Sequence, residues 1–99
     1  MKSARFLLPA EQEMLDAARY YESQTEHLGE DFLMKVNSAV GDIVKYPERW
    51  PVIRFDVRRR LVHRFPYGIL YRFDPNEVVI LAVAHLHRHP NYWISRIRV

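Results

Sequence analysis

Apolar positions along the chain fall into two textures that meet near Pro47. Arg5-Phe6-Leu7-Leu8 is a short apolar run stopped by Pro9, the pattern of a strand that feeds a helix with proline near its first turn. From Pro9 to about Ser23, Ala10, Met14, Ala17, Ala18 and Tyr21 recur at helical spacing. Glu11, Glu13 and Asp16 sit in the early turns, where the helix dipole favours carboxylates. Leu28-Gly29 breaks this pattern. A second helix is predicted from about Glu30 to Tyr46, with Phe32, Val36, Ala39, Val40, Ile43 and Val44 on one stripe and Pro47 ending it. The two read as an antiparallel hairpin.

Beyond Pro47 the period shortens. Trp50-Pro51 opens a loop, and Val57 to Phe65 is rich in β-branched and alternating residues, which predicts a strand. Pro66-Tyr67-Gly68 supplies turn chemistry, Ile69 to Phe73 the next strand, and Asp74-Pro75-Asn76 the next turn. Val78 to Ala84 is apolar on both faces, so that strand is expected to be central and covered on both sides. The order β-α-α-β-β-β makes an α+β fold in which a helical hairpin covers one face of a small sheet.

At 99 residues the chain is expected to form a single domain over residues 1–99, with no room for a second. A chain this short buries only roughly 60–65% of its unfolded surface. With no cysteine it has neither disulfide nor thiolate metal site, so packing must hold it. No apolar run approaches the roughly 18–20 residues of a membrane span, and the opening Met-Lys-Ser-Ala-Arg leads into too short an apolar stretch for a secretory signal. The expectation is a cytoplasmic protein with no membrane partner.

Charge divides the chain. Residues 1–50 carry six basic and nine acidic residues, a balance of −3, whereas residues 51–99 carry nine basic and three acidic, a balance of +6. All nine of those cations are arginine. Arginine presents a planar fork that binds phosphate or carboxylate bidentately and stacks on rings, which favours recognition over simple solvation. A solvated charged face is the bland alternative. In Val57-Arg58-Arg59-Arg60-Leu61-Val62-His63-Arg64 the period of two puts Arg58, Arg60 and Arg64 on one face and Arg59, Leu61 and His63 on the other. Three arginines in a row are expected to face solvent or a polyanion, or else to protect an edge strand from aggregation.

Ala84-His85-Leu86-His87-Arg88-His89-Pro90-Asn91-Tyr92-Trp93 follows the last strand. If the extended conformation persists, His85, His87 and His89 share one face, a geometry that invites a metal. No Asp, Glu or Cys accompanies them and nearby arginines oppose a dication, so no metal and no cofactor is expected. The same residues suit RNA chemistry, with imidazole moving protons, guanidinium holding phosphate and a ring stacking on a base. Trp93 is expected instead to pack the C-terminal segment onto the sheet. With only three glycines there is no phosphate-binding loop, and no nucleophile elbow surrounds Ser3, Ser23, Ser38 or Ser95. The acidic residues of the first half fall mostly on exposed helix faces, which argues against paired-carboxylate catalysis.

Taken in order, several segments resemble the RelE/ParE superfamily of small bacterial toxins from type II toxin–antitoxin systems. They are Ala17-Ala18-Arg19-Tyr20-Tyr21-Glu22, Leu28-Gly29 with Phe32, Pro47 to Pro51, Arg59-Arg60, Phe65-Pro66-Tyr67-Gly68-Ile69-Leu70-Tyr71-Arg72, Val79-Ile80-Leu81-Ala82-Val83-Ala84-His85, Arg88 and Tyr92-Trp93. The resemblance implies a helical hairpin packed on a small antiparallel sheet, with the first strand joined to the later three. It also implies two activities: one branch cleaves messenger RNA on the ribosome, and the ParE branch poisons DNA gyrase.

In the cleaving branch a basic cluster, a middle-strand arginine, an arginine after the last strand and a C-terminal tyrosine act on the scissile phosphate. Arg88 matches the arginine after the last strand and Tyr92 stands near the tyrosine. Gly68 occupies the middle-strand position just before Ile69-Leu70-Tyr71, and the expected lysines are absent, although Arg58 to Arg60 could substitute in charge. The Phe-Pro-Tyr turn and the Ala-Val-Ala-His strand end resemble the ParE branch, in which no catalytic set is expected. The resemblance thus implies a toxin that acts by binding DNA gyrase through Arg58, Arg60, Arg64, Arg72, Arg88 and Tyr92. A cognate antitoxin with an acidic, partly disordered C-terminal region would neutralise it within a hetero-oligomer. The alternative is a ribosome-dependent endoribonuclease using His85, His87, Arg88 and Tyr92. A non-catalytic nucleic-acid-binding module is a third class.

Overall fold

The computed structural model describes residues 3–98; Met1, Lys2 and Val99 of the 1–99 span lie outside the described residues. Strand β1 (Ser3–Phe6) leads into helix α1 (Leu8–Gln24), followed by α2 (Leu28–Lys45), β2 (Val52–Arg54), β3 (Val57–Leu61), β4 (Tyr67–Phe73), β5 (Glu77–His85) and a 3₁₀ helix (Ile94–Arg98). The strands form one sheet in the order β1-β5-β4-β3-β2. Neighbours pair antiparallel except β1, which runs parallel to β5. The α+β class and the helical hairpin on one face agree with the expectation; the parallel pair makes the sheet mixed.

Pro9 occupies the first turn of α1, where its missing N–H breaks no bond. α2 starts two residues earlier than its stripe predicts, because Gly29 continues the helix. A Cβ on Gly29 would sit 2.4 Å from the Ala18 carbonyl oxygen, so the glycine allows α1 and α2 to approach backbone to side. Glu22 completes the junction. Its carboxylate accepts the His27 N–H at 2.9 Å and the Gly29 N–H at 3.0 Å, satisfying donors that the start of α2 leaves open.

Three further differences concern the strands, the first being that Tyr67 and Gly68, expected in the turn, open β4 and pair with His85 and Ala84 of β5. Residues 52–54, expected in a loop, form β2, which pairs with β3. The strand expected to run to Phe65 ends at Leu61, since Arg64 takes a left-handed conformation (φ 71°) and Pro66 has no N–H to continue a ladder.

Under the helices, Tyr21, Phe32, Phe65 and Tyr67 interlock edge-to-face or tilted, with Tyr21–Phe65 centroids 4.8 Å apart and Phe32–Phe65 5.1 Å. Val36, Ile43, Ile69, Tyr71, Val78, Ile80 and Val83 extend this core. On the other face Val57, Leu70, Leu81, Ala82 and Ala84 pack against Trp93, with Tyr92, Ile94 and Ile97 beside it. β5 is therefore covered on both sides, as its sequence predicts. Trp93 is 2% exposed and closes the second core, with its indole N–H donating to the Pro90 carbonyl at 2.9 Å.

Candidate functional site

The two faces of β3 separate its arginines, and not as the row was expected to stand. Arg58 and Arg60 point under the helical layer instead of toward solvent. Arg58 Nη1 donates to the Glu48 and Trp50 carbonyls at 3.0 and 2.8 Å. Arg60 Nη2 pairs with Asp42 of α2 at 2.7 Å and its guanidinium lies 5.1 Å from the Trp50 ring centre. Mutual repulsion is overcome because the end of α2 and the 46–51 segment bring acceptors and a ring to these charges. Arg64 lies in the turn rather than on the strand and pairs with Asp31 at 3.0 Å. Arg72 is bound to Asp56 at 2.7 Å and also donates to the Ile97 carbonyl.

The opposite face carries a cleft of about 370 Å³ between the β2–β3 hairpin and the segment after β5. Its lining includes Arg54, Arg59, Arg88, His85 and His89 over an apolar floor of Leu70, Ala84 and Trp93, and contains no carboxylate. Arg59 enters it because β4 has no side chain at Gly68: a Cβ there would lie 3.0 Å from Arg59 Cγ and Cδ. The glycine that stands where an arginine was sought thus makes room for an arginine from the next strand. Arg54 is held by the Asn91 side-chain oxygen at 3.0 Å. Arg88 stacks on Tyr92, 3.9 Å from the ring centre. Arg54 was not singled out from sequence; Arg59 was named only within Arg59-Arg60 and as part of the Arg58 to Arg60 charge, and the period-of-two rule had already put it on the face opposite Arg58.

The histidines do not share an extended face, because the chain turns at the end of β5, with the Arg88 N–H donating to the His85 carbonyl at 3.0 Å. Among the described residues no cluster of His, Cys, Asp and Glu could hold a metal ion. His85 Nδ1 accepts the His87 N–H at 3.0 Å and His89 Nδ1 accepts the Asn91 N–H at 3.3 Å. Each bond leaves the proton of a neutral ring on Nε2, so both rings offer donors to the cleft. His87 is exposed, with its ring 5.3 Å from that of His85.

Tyr92 donates its hydroxyl to Glu13 at 2.7 Å. Burial first, then this hydrogen bond and the negative charge of Glu13, push its pKa far above the ordinary phenol value, and Arg96 and Arg88 offset only part of that rise. The phenol is therefore neutral at any physiological pH. Glu13 itself was grouped with exposed helix carboxylates, yet its side chain is only 15% exposed. Its sequence signal is position: it lies three residues after Ala10 and four before Ala17, inside the apolar stripe of α1.

A family model described as the ParE toxin of the type II toxin–antitoxin system parDE matches residues 4–90. The chain belongs to the ParE toxin family. As a member it is a type II toxin–antitoxin toxin within the wider ParE/RelE superfamily, which includes both non-catalytic ParE toxins and RNase RelE toxins. Two solved structures share its fold. A chain of the chromosomal ParDE toxin–antitoxin system from P. aeruginosa superposes with a TM-score of 0.62 at 19% identity, over 86% of this chain and 96% of that one. A chain of the RelBE2 toxin–antitoxin complex from Mycobacterium tuberculosis gives 0.56 at 26% identity, over 85% and 96%. No curated protein matches the chain. Among the described residues of this ParE-family toxin, no helix is long and apolar enough to cross a membrane.

Proposed function

We propose that this toxin arrests growth by binding DNA gyrase in the cytoplasm, and that it does so without a catalytic step. The observation that carries this reading is the chemistry of the open-face cleft, whose polar side chains are nearly all donors. A general base needs a free lone pair near the working pH. Arginine has none, the Tyr92 hydroxyl is committed to Glu13, and the Nδ1 lone pairs of His85 and His89 are taken by backbone N–H groups. Such a surface binds carboxylate or phosphate through Arg54, Arg59 and Arg88, and seats apolar side chains beside exposed Ile53 and Leu86. Arg64 and Arg72, held by Asp31 and Asp56, fall outside this lining. The test is a supercoiling assay with purified gyrase, in which the toxin should inhibit supercoiling while leaving translated mRNA intact.

The second reading, a ribosome-dependent endoribonuclease, is favoured by Arg88 stacked on Tyr92 close to His85, an arrangement that could grip a scissile phosphate. Codon-periodic cleavage in toeprints of translating ribosomes, with supercoiling untouched, would establish it and overturn the first. A salt-dependent shift of naked nucleic acid with neither activity would point to a plain binding module.

The partner that silences the toxin is, on this proposal, an antitoxin with an acidic, partly disordered C-terminal segment that wraps the +6 half of the chain in a hetero-oligomer. The two structural neighbours named above come from toxin–antitoxin systems, which supports an antitoxin as the partner. Association should slow markedly from roughly 50 to 500 mM salt as arginine–carboxylate steering is screened. The complex should melt above the free toxin by mass action. A genomic neighbour that binds at a salt-independent rate with no gain in melting temperature rules out electrostatic wrapping.

A further inference from the structure

β1 pairs with β5 only from Glu77 to Ile80, and the Leu7 N–H donates to the Ile80 carbonyl as the chain turns into α1. The edge of β5 beyond that point is met by two side chains. Arg96 Nη1 donates to the Leu81 carbonyl at 3.0 Å, and Glu13 Oε1 accepts the Val83 N–H at 3.1 Å. Glu13 also takes Arg96 through both oxygens, at 2.9 and 3.1 Å, and the Tyr92 hydroxyl at 2.7 Å. Arg88 Nη1 lies 3.8 Å from Glu13 Oε2. The guanidinium groups of Arg88 and Arg96 lie 3.9 and 5.0 Å from the centre of the Tyr92 ring. A carboxylate from the helical layer thus reaches past the sheet edge to organise two residues of the cleft wall.

We infer that Glu13 is the positioning residue of this toxin's binding face, holding Tyr92 and through it Arg88 in the orientation that engages the target. The inference rests on the cleft being the working surface, but not on which target fills it. Stability alone does not call for this arrangement, because a largely buried ion pair is often matched by well-packed apolar side chains. Its distinctive effect is on geometry and charge. Without the carboxylate, Arg88 and Arg96 repel each other across one phenol, and the Tyr92 hydroxyl and the Val83 N–H lose a charged acceptor.

The experiment compares E13Q, Y92F and a control, E11Q, whose side chain is exposed on the same helix. Readouts are the toxin level that halves growth rate, the melting temperature, and the ionisation of Tyr92 followed by NMR of ¹³Cζ-labelled tyrosine, assigned with Y92F. E13Q keeps the shape and removes the charge, so it should need about tenfold more toxin and Tyr92 should ionise at lower pH. Y92F leaves the Glu13–Arg96 pair intact and should lose roughly threefold to tenfold in toxicity while staying folded at the growth temperature, its melting temperature lowered by the loss of one hydrogen bond to Glu13. E11Q should match the unmodified toxin. Full toxicity in a folded E13Q overturns the inference, as does a loss in E13Q that merely follows its unfolded fraction while Y92F stays fully toxic. Should E13Q not fold, Y92F decides alone: undiminished toxicity there sinks the proposal. A wrong gyrase assignment shows separately, as an unmodified toxin that leaves supercoiling untouched yet still arrests growth.

Discussion

The helix-covered and open faces of the sheet are built from alternate residues of the same strands, and they treat arginine in opposite ways. Arg58 and Arg60 lie beneath the helical layer, where Asp42, two carbonyls and the Trp50 ring receive them. One residue away, Arg59 emerges on the open face into a cleft without a carboxylate. The covering segments explain the contrast. α1 and α2 together carry Glu11, Glu13, Asp16, Glu22, Glu30, Asp31 and Asp42, whereas residues 86–97 over the open face contain no acidic residue at all. A charge is available for binding when the layer above it lacks a counter-charge, and the net charge of a half-chain does not report that.

The sharpest way to break this contrast is to attack the covered face where its packing is densest. Phe32→Ala, at a side chain with no exposure among three other rings, should lower unfolding free energy by about 3–5 kcal/mol in a denaturant titration. A smaller figure would mean that the helical layer is held by something other than this aromatic cluster. The glycines come next. Gly29→Ala forces a methyl against the Ala18 backbone carbonyl and should lose about 1–3 kcal/mol. Gly68→Ala meets the flexible stem of Arg59 at 3.0 Å and Leu61 Cδ2 at an ordinary 3.7 Å, so its stability should change by less than about 1 kcal/mol while growth inhibition falls as Arg59 is displaced.

Between the arginines themselves, Arg60→Gln should lower stability by about 1 kcal/mol by breaking the partly buried pair with Asp42. Arg59→Gln combined with Arg88→Gln should stay within about 0.5 kcal/mol of the unmodified protein, yet weaken growth arrest at least tenfold, taking about 1.4 kcal/mol of lost target binding as the scale. If the two results came out exchanged, the division between faces would be wrong. The mildest effect is acidic. The His27 N–H foremost, with help from the Gly29 N–H, holds the Glu22 carboxyl below its ordinary value of 4.5 despite the opposing effect of burial. A lowered folded value means its contribution is complete above the unfolded value and disappears as pH falls through the folded one. The melting-temperature gap between the unmodified protein and Glu22→Gln should accordingly narrow as pH falls below the ordinary carboxyl value of 4.5, and a constant gap would show that the carboxylate's charge has no part in capping α2.

Much of this architecture is legible from spacing. The stripe from Phe32 to Val44 marks α2, the stripe from Ala10 to Tyr21 marks α1, and the doubly apolar run from Val78 to Ala84 marks β5 as central and covered twice. The misreadings have separate physical origins. Residues 52–54 are all exposed and too few to show a period, so β2 follows from pairing with β3 and not from its own pattern. Gly29 looks like a helix breaker because glycine disfavours isolated helices, but against Ala18 its missing side chain allows the packing.

By itself the sequence determined both helices, the strands other than β2, their order, and that Arg58 and Arg60 stand together opposite Arg59, because those follow from short-range periodicity and backbone sterics. Only the tertiary structure decided which of the two sets faces the helices. A period of two separates Arg58 and Arg60 from Arg59 without saying which side will meet Asp42. It decided as well that Glu13 lies against Tyr92 and Arg96, 79 and 83 residues further along. Such a meeting depends on where β1 stops short along β5 and on how the C-terminal segment crosses the sheet, and no local pattern encodes either.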